Sequence, residues 1–206
     1  MARDLFARYD ETPDPDFYKL PRLVEHIDER AIAAVERLYR ERLPAGGSVL
    51  DLMSSWVSHL PPDVAYRRIV GLGMNADELT ANSRLEAYVV QDLNVRPKLP
   101  FTTNEFDAVA ICVSIQYLTQ PVTVLREAAR VVKTGSPIVI TFSNRCFPTK
   151  AVAIWQALEG RGHCALVARY LSDAGGWNDI EQLDRSPRNG DSLYAVAARR
   201  NADRIA

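Results

Sequence analysis

Apolar positions recur along this chain in two rhythms. Short apolar runs predict strands at 48–52, 67–72, 86–91, 106–113 and 136–143, and the near-continuous ones at 106–113 and 136–142 fit central strands buried on both faces. Apolar residues three and four apart predict helices between and around them. Asp28 is an N-cap ahead of a helix over 29–43. Ile32, Val35, Leu38, Tyr39 and Leu43 share its inner face, and Pro44 with Gly46-Gly47 ends it. Pro121 opens another helix, with Leu125, Ala128 and Val132 inward and Gly135 just past its end. Further helices are predicted over 149–159, carrying Val152, Ile154, Trp155 and Leu158, and over 163–174, closed by Gly175-Gly176. Two more strands, near 177–184 and 191–199, flank the turn signal Ser186-Pro187-Arg188-Asn189-Gly190, which favours an antiparallel pair.

Five β-units separated by helices require an α/β architecture: a mostly parallel sheet with right-handed crossovers. Residues 1–27 stand apart. They are polar, interrupted by Pro13, Pro15 and Pro21, and studded with Phe6, Tyr9, Phe17 and Tyr18. This is an arm or lid, and 28–206 is one domain.

Composition changes little. The hydrophobic fraction of 47% and charged fraction of 25% are ordinary for a globular chain. No apolar run approaches the ~20 residues that span a bilayer, and the N-terminus has no apolar signal core, so a cytoplasmic location is expected. A net charge of −1 gives no electrostatic case for nucleic acid or an anionic membrane as partner. The three cysteines and three histidines have neither disulfide-framework nor metal-ligand spacing, so no metal is expected. The 21 Arg against 4 Lys read as codon bias.

In such a sheet, ligands bind beyond the carboxyl ends of the strands. Strand one runs Ser48-Val49-Leu50-Asp51-Leu52 into Met53-Ser54-Ser55-Trp56. Strand two ends in Val70-Gly71-Leu72-Gly73-Met74-Asn75, strand three in Gln91-Asp92-Leu93, strand four in Val113-Ser114-Ile115-Gln116-Tyr117-Leu118, and strand five in Ser143-Asn144-Arg145-Cys146. The order and spacing of these segments over about 45–199 resemble the class I S-adenosylmethionine (SAM) methyltransferases, of the type 11-like kind. The resemblance implies a three-layer Rossmann-like sandwich with a seven-stranded sheet and an antiparallel C-terminal hairpin.

It also implies SAM as cofactor, held by Asp51, Met53, Ser54, Ser55, Trp56, Gly71, Gly73, Met74, Asn75, Asp92, Leu93, Ser114 and Tyr117. In the family an aspartate on Gly73's position holds the ribose, and Asn75 is its candidate substitute. Asp92 matches the residue that accepts from the adenine amino group. The chain departs from the family's glycine-rich loop, where Met53, Ser55 and Val57 stand in place of three glycines. That predicts a reshaped loop with ordinary negative φ at Met53, opening a helix whose free N–H groups meet the ligand. The plainer alternative makes Ser55 or Ser58 a helix cap and Trp56 a core residue.

Three functions compete. The first is methyl transfer to a small-molecule acceptor touching Tyr18, Arg22, His26, Gln116, Asn144 and Arg145, with Tyr18 and Arg22 on one helical face. The second is a non-catalytic ligand- or protein-binding domain that has lost the glycine loop. A nucleotide-dependent oxidoreductase is third, weakened because no Gly-x-Gly-x-x-Gly follows strand one. No catalytic residue and no oligomeric state can be assigned from the sequence.

Overall fold

The computed structural model describes residues 4–202. The ends of the arm and of the domain, 1–3 and 203–206, lie outside the described residues. Seven strands form one sheet in the order β3-β2-β1-β4-β5-β7-β6, with β1 Ser48–Ser54, β2 Arg68–Gly73, β3 Ala87–Val90, β4 Ala108–Cys112, β5 Pro137–Phe142, β6 Trp177–Asp184 and β7 Tyr194–Arg200. The first five are parallel; β7 inserts antiparallel between β5 and β6. The expected three-layer α/β sandwich with its closing antiparallel hairpin is the observed one.

The runs that read as doubly buried strands are central. All six residues of β5 are buried, and every residue of β4 except Cys112. One sheet face offers Val49, Ala108, Ala110, Val139, Ala195 and Ala197 to α2 (Glu29–Arg42), and these small residues leave room for Leu38 and Tyr39. The other offers Leu50, Leu52, Val109, Ile111, Ile138 and Ile140 to α4 (Pro121–Val131) and α6 (Arg161–Ala174). Asp28 caps α2 through the N–H groups of Arg30 and Ala31. Asp28 also exchanges main-chain-to-carboxylate bonds with Asp191 in the β6–β7 turn, at 3.0 and 2.6 Å.

Two expectations fail here. No helix follows β1: residues 55–67 cross to β2 as loop, because Pro61-Pro62 removes two N–H donors from a short crossover. The helix expected over 149–159 shrinks to α5 (Ala153–Gln156), because Ala153 and Ile154 give their N–H groups to the carbonyls of Ala7 and Leu5 in the arm.

The end of β1 is the irregular point that shapes the site. Leu52 pairs with Leu72 and Ser54 with Gly73, so Met53 is the extra residue of a bulge. Its φ is +61°, which corrects the expected negative value. This bulge turns left-handed at Met53, a conformation that favours glycine, so Met53 bears backbone strain. Gly73 answers it from β2: a Cβ there would lie 2.1 Å from the Ser54 carbonyl oxygen. At Gly71 a Cβ would lie 2.5 Å from Cδ1 of Leu85, with Cδ2 of Leu85 and of Leu79 at 3.2 and 3.3 Å, all of them ends of movable side chains. Gly73→Ala should therefore destabilise the fold by about 2–3 kcal/mol and Gly71→Ala by about half that or less, compared by urea unfolding.

Candidate functional site

The carboxyl ends of β1, β2, β4 and β5 and the segment after β3 surround a cavity of about 470 Å³. That is within the usual range for small-ligand sites. Its floor is Asp51, only 3% exposed. One carboxylate oxygen accepts from the hydroxyls of Ser54 and Ser58, both at 2.6 Å. Asn82 fixes Ser58 from behind at 2.9 Å and holds the Ser55 carbonyl at the same distance. Those two hydroxyls are the only hydrogen-bond partners of the Asp51 carboxylate among the described residues, and burial raises its pKa to about 6. Beside it, the Ser114 hydroxyl is buried without a partner, a deficit that costs about 1–3 kcal/mol.

Backbone strain is concentrated at this cavity. Met53, His59 and Val113 have φ of +61°, +50° and +49°, and all three line it. Left-handed backbone is least tolerable for a β-branched residue such as Val113. Strain held in place by surrounding structure is characteristic of binding sites. Burial, aided by neighbouring His26, drops the His59 pKa to about 4, so this imidazole is neutral at neutral pH.

The wall after β3 is built from turns. Asp92 accepts from the Asn94 N–H at 2.8 Å, and Gln91 donates to the carbonyls of Arg96 and Lys98. Tyr117 accepts from the Phe147 N–H at 2.8 Å, which ties the β4 and β5 loops together.

The arm forms the roof. Tyr18, Arg22, Val24 and His26 line the cavity from above. Trp56 donates to the Val24 carbonyl at 3.0 Å, and Asn75 to the carbonyls of Tyr18 and Lys19 at 2.8 and 3.2 Å. Glu78 accepts from the Arg22 N–H at 2.7 Å. The arm is latched at Asp14, which is buried. It takes two bonds from Arg8 at 2.7 and 2.8 Å, one from Asn94 at 2.8 Å, and an ion pair with Lys150 at 3.3 Å. Lys150 is wholly buried and also donates to the Thr12 carbonyl at 2.5 Å.

Residues 54–140, from the last residue of β1 into β5, match the family model of the methyltransferase domain. Over that stretch the chain is similar to methyltransferase domains. No curated protein sequence matches it. Among solved structures, the chain is similar to the cyclase SpnF, with TM-score 0.62 and 16% identity over 82% of this chain and 81% of that one. It is also similar to phosphoethanolamine N-methyltransferase 2 of Haemonchus contortus bound to SAM, with TM-score 0.61 and 14% identity over 84% of this chain and 52% of that one. A third is geranyl diphosphate C-methyltransferase of Streptomyces coelicolor, with TM-score 0.57 and 13% identity over 82% and 76%. At these identities the likeness is one of fold.

The strand-end cleft gathers most of the residues singled out in the sequence. Asp51, Met53, Ser54, Ser55, Trp56, Gly73, Met74, Asp92, Leu93, Ser114 and Tyr117 line it, and so do Tyr18, Arg22, His26, Asn144 and Arg145. Three do not. Gly71 lies inside β2, where it makes room for Leu85. Asn75 caps α3 (Ala76–Ala81) by accepting from the N–H groups of Asp77 and Glu78, and its amide is spent on the arm. Gln116 is 1% exposed and turns back to the Val113 carbonyl. Nor do Tyr18 and Arg22 share a helix, since α1 ends at Phe17; they meet by stacking. The cleft also holds Glu78, Asp14 and Phe147, which the strand-end logic missed. Glu78 sits one helical turn past its strand, and Asp14 arrives by a contact 80 residues long in sequence.

Among the described residues no cluster of His, Cys, Asp or Glu is placed to hold a metal ion, and no helix is long and apolar enough to cross a membrane.

Proposed function

We propose that this protein transfers the methyl group of SAM to a small-molecule acceptor within the roofed cleft. The observation that carries this reading is Asp51, a buried carboxylate without a counter-ion on the floor of a strand-end cavity. Such a group is costly unless a cationic ligand compensates it. The donor set also fits the cofactor in its unpartnered Ser114 hydroxyl and in the free oxygen of Asp92.

In this reading Asp51, with Ser54 and Ser55, receives the ammonium end of the cofactor. Asp92 and Leu93 take the adenine, Met74 and Glu78 flank the ribose, and Ser114 and Tyr117 lie between cofactor and acceptor. SAM supplies a methyl group already activated on a sulfonium, so the chain's part is chiefly positioning and exclusion of water. Tyr18, whose pKa burial raises far above the ordinary value, keeps its proton and serves as a donor. His59, neutral at pH 7, can accept a proton where the acceptor must lose one. The arm's closure favours a small acceptor, as in the methyltransferases of phosphoethanolamine and geranyl diphosphate that share the fold.

A second reading, binding without methyl transfer, is favoured by the bulge that replaces the glycine loop and by the cyclase with the same fold. Calorimetry with S-adenosylhomocysteine should show saturable binding, and isotope-labelled SAM should label a small-molecule fraction. Binding with no label transferred would select the second reading; no binding at millimolar ligand would sink the first and leave a domain that binds another ligand or a protein. Asp92→Ala should weaken S-adenosylhomocysteine by about 1–3 kcal/mol with an unchanged melting temperature. Equal affinity would remove Asp92 from the adenine site.

A further inference from the structure

We propose that Arg22 is the receptor for a carboxylate carried by a ligand of this cavity. The inference deepens the methyltransferase reading, and rests on it only for which ligand carries the acid.

Arg22 differs from the paired arginines of the described chain. Arg8, Arg40, Arg42, Arg130 and Arg185 each reach a carboxylate within 2.8 Å. The Arg22 guanidinium forms no ion pair among the described residues, and its neighbour Glu78 bonds the main-chain N–H instead. Nη2 donates to the Phe17 carbonyl at 2.9 Å, whereas Nη1 is shut off from solvent with no partner. The guanidinium carbon lies 4.5 Å from the Phe17 ring centre, 5.3 Å from Phe147 and 5.6 Å from Tyr18. Stacked rings fix the plane of a guanidinium and leave its N–H edge for in-plane acceptors. A carboxylate matches that edge in shape and charge and can bond it twice.

Arg22 also lines the same cavity as Asp51. A cation at the roof and an unpaired anion at the floor are together complementary to an amino-acid zwitterion. The carboxylate can therefore belong to the methionine end of the cofactor or to an acidic acceptor, and one experiment separates the two sources.

Benzoate is titrated, by calorimetry and protein NMR, into free protein and into protein saturated with S-adenosylhomocysteine. The parent is compared with Arg22→Met and Arg22→Lys, with matched melting temperatures and circular dichroism as the fold control. 5′-Methylthioadenosine, which lacks the amino-acid end, is the second ligand. The parent should bind benzoate, Arg22→Met should lose at least about ten-fold in affinity, and Arg22→Lys should lose less.

If S-adenosylhomocysteine displaces benzoate, and Arg22→Met weakens it but not methylthioadenosine, the acid is the cofactor's. If benzoate binds beside S-adenosylhomocysteine, the acid is the acceptor's. An Arg22-dependent benzoate site in a protein that ignores S-adenosylhomocysteine upholds this inference while removing the methyltransferase reading. Equal binding of benzoate and of S-adenosylhomocysteine by parent and Arg22→Met overturns it, as does a parent that binds no benzoate.

Discussion

Asp14→Ala should release the roof of the cleft, at a cost of about 3–5 kcal/mol. Arg8 and Lys150 have 8% and 0% of their side chains exposed, and both reach the Asp14 carboxylate. Removing one partner of a buried ionic cluster leaves the others charged in a poor solvent, and that dominates the loss. Lys150 keeps only Asp10 at 3.6 Å and the Thr12 oxygens, and Asn94 loses its anchor to the arm. The loss is capped by what the arm itself contributes, because an arm that detaches returns both cations to water. Two measurements read the two regimes. Urea unfolding reports the global cost, and limited proteolysis reports detachment as new cleavage within residues 4–27. Unchanged stability together with unchanged protease resistance would show that Asp14 does not latch the arm.

Asp51→Asn should have the opposite sign and stabilise the protein by about 3 kcal/mol near neutral pH. Burial raises this carboxyl from an ordinary 3.8 to about 6, and a tenfold change in proton affinity between the folded and unfolded chain corresponds to about 1.4 kcal/mol. Below about pH 4 the group is protonated in folded and unfolded chains alike, and no penalty exists. As pH rises from about 4 to 6 the unfolded chain releases its proton first, so stability falls, and above about 6 the full penalty is present. Asparagine presents one oxygen to Ser54 and Ser58 and carries no charge, so the gain over the parent should be absent near pH 4 and complete by pH 7. Asp28, whose pKa the N–H groups of Ala31 and Asp191 lower, acts in the reverse direction at lower pH and is common to both proteins. The same substitution should weaken S-adenosylhomocysteine, because the ammonium loses its counter-ion. A protein made more stable and less able to bind is the signature of a site kept for function. No stability difference between pH 4 and 7 would overturn the assignment of Asp51 as an uncompensated buried charge.

How much of this is legible in the sequence depends on how local the cause is. Strand β5 and helix α2 both read within a residue of their observed bounds, because a buried run and a capped amphipathic stretch announce themselves within ten or fifteen residues. The loop after β1 does not. Its missing glycines are visible, but their consequence depends on Gly73 of the neighbouring strand, which admits the Ser54 carbonyl and lets β1 run on through a bulge. Helix propensity at 149–152 is overridden by bonding around the arm, a contact made across most of the chain. Asn75 illustrates the commonest error at the site. A polar residue at a strand end reads as a ligand contact, yet its four hydrogen bonds are already used by a helix cap and the arm.

The strand order bears on how the protein is made. β7 lies between β5 and β6 yet follows both in sequence, so a chain emerging from the ribosome has an open β5 edge until residues 194–200 have appeared. The turn just before β7 carries Asp191, whose bonds to Asp28 fix the base of the arm. Synthesis thus imposes a schedule: the arm's bonds to Trp56, Asn75, Glu78 and Asn94 can form early, whereas those to Lys150 and Asp191 close over a hundred residues and come late. During that interval β5 presents an unpaired apolar edge, where a nascent chain would meet a chaperone or another copy of itself.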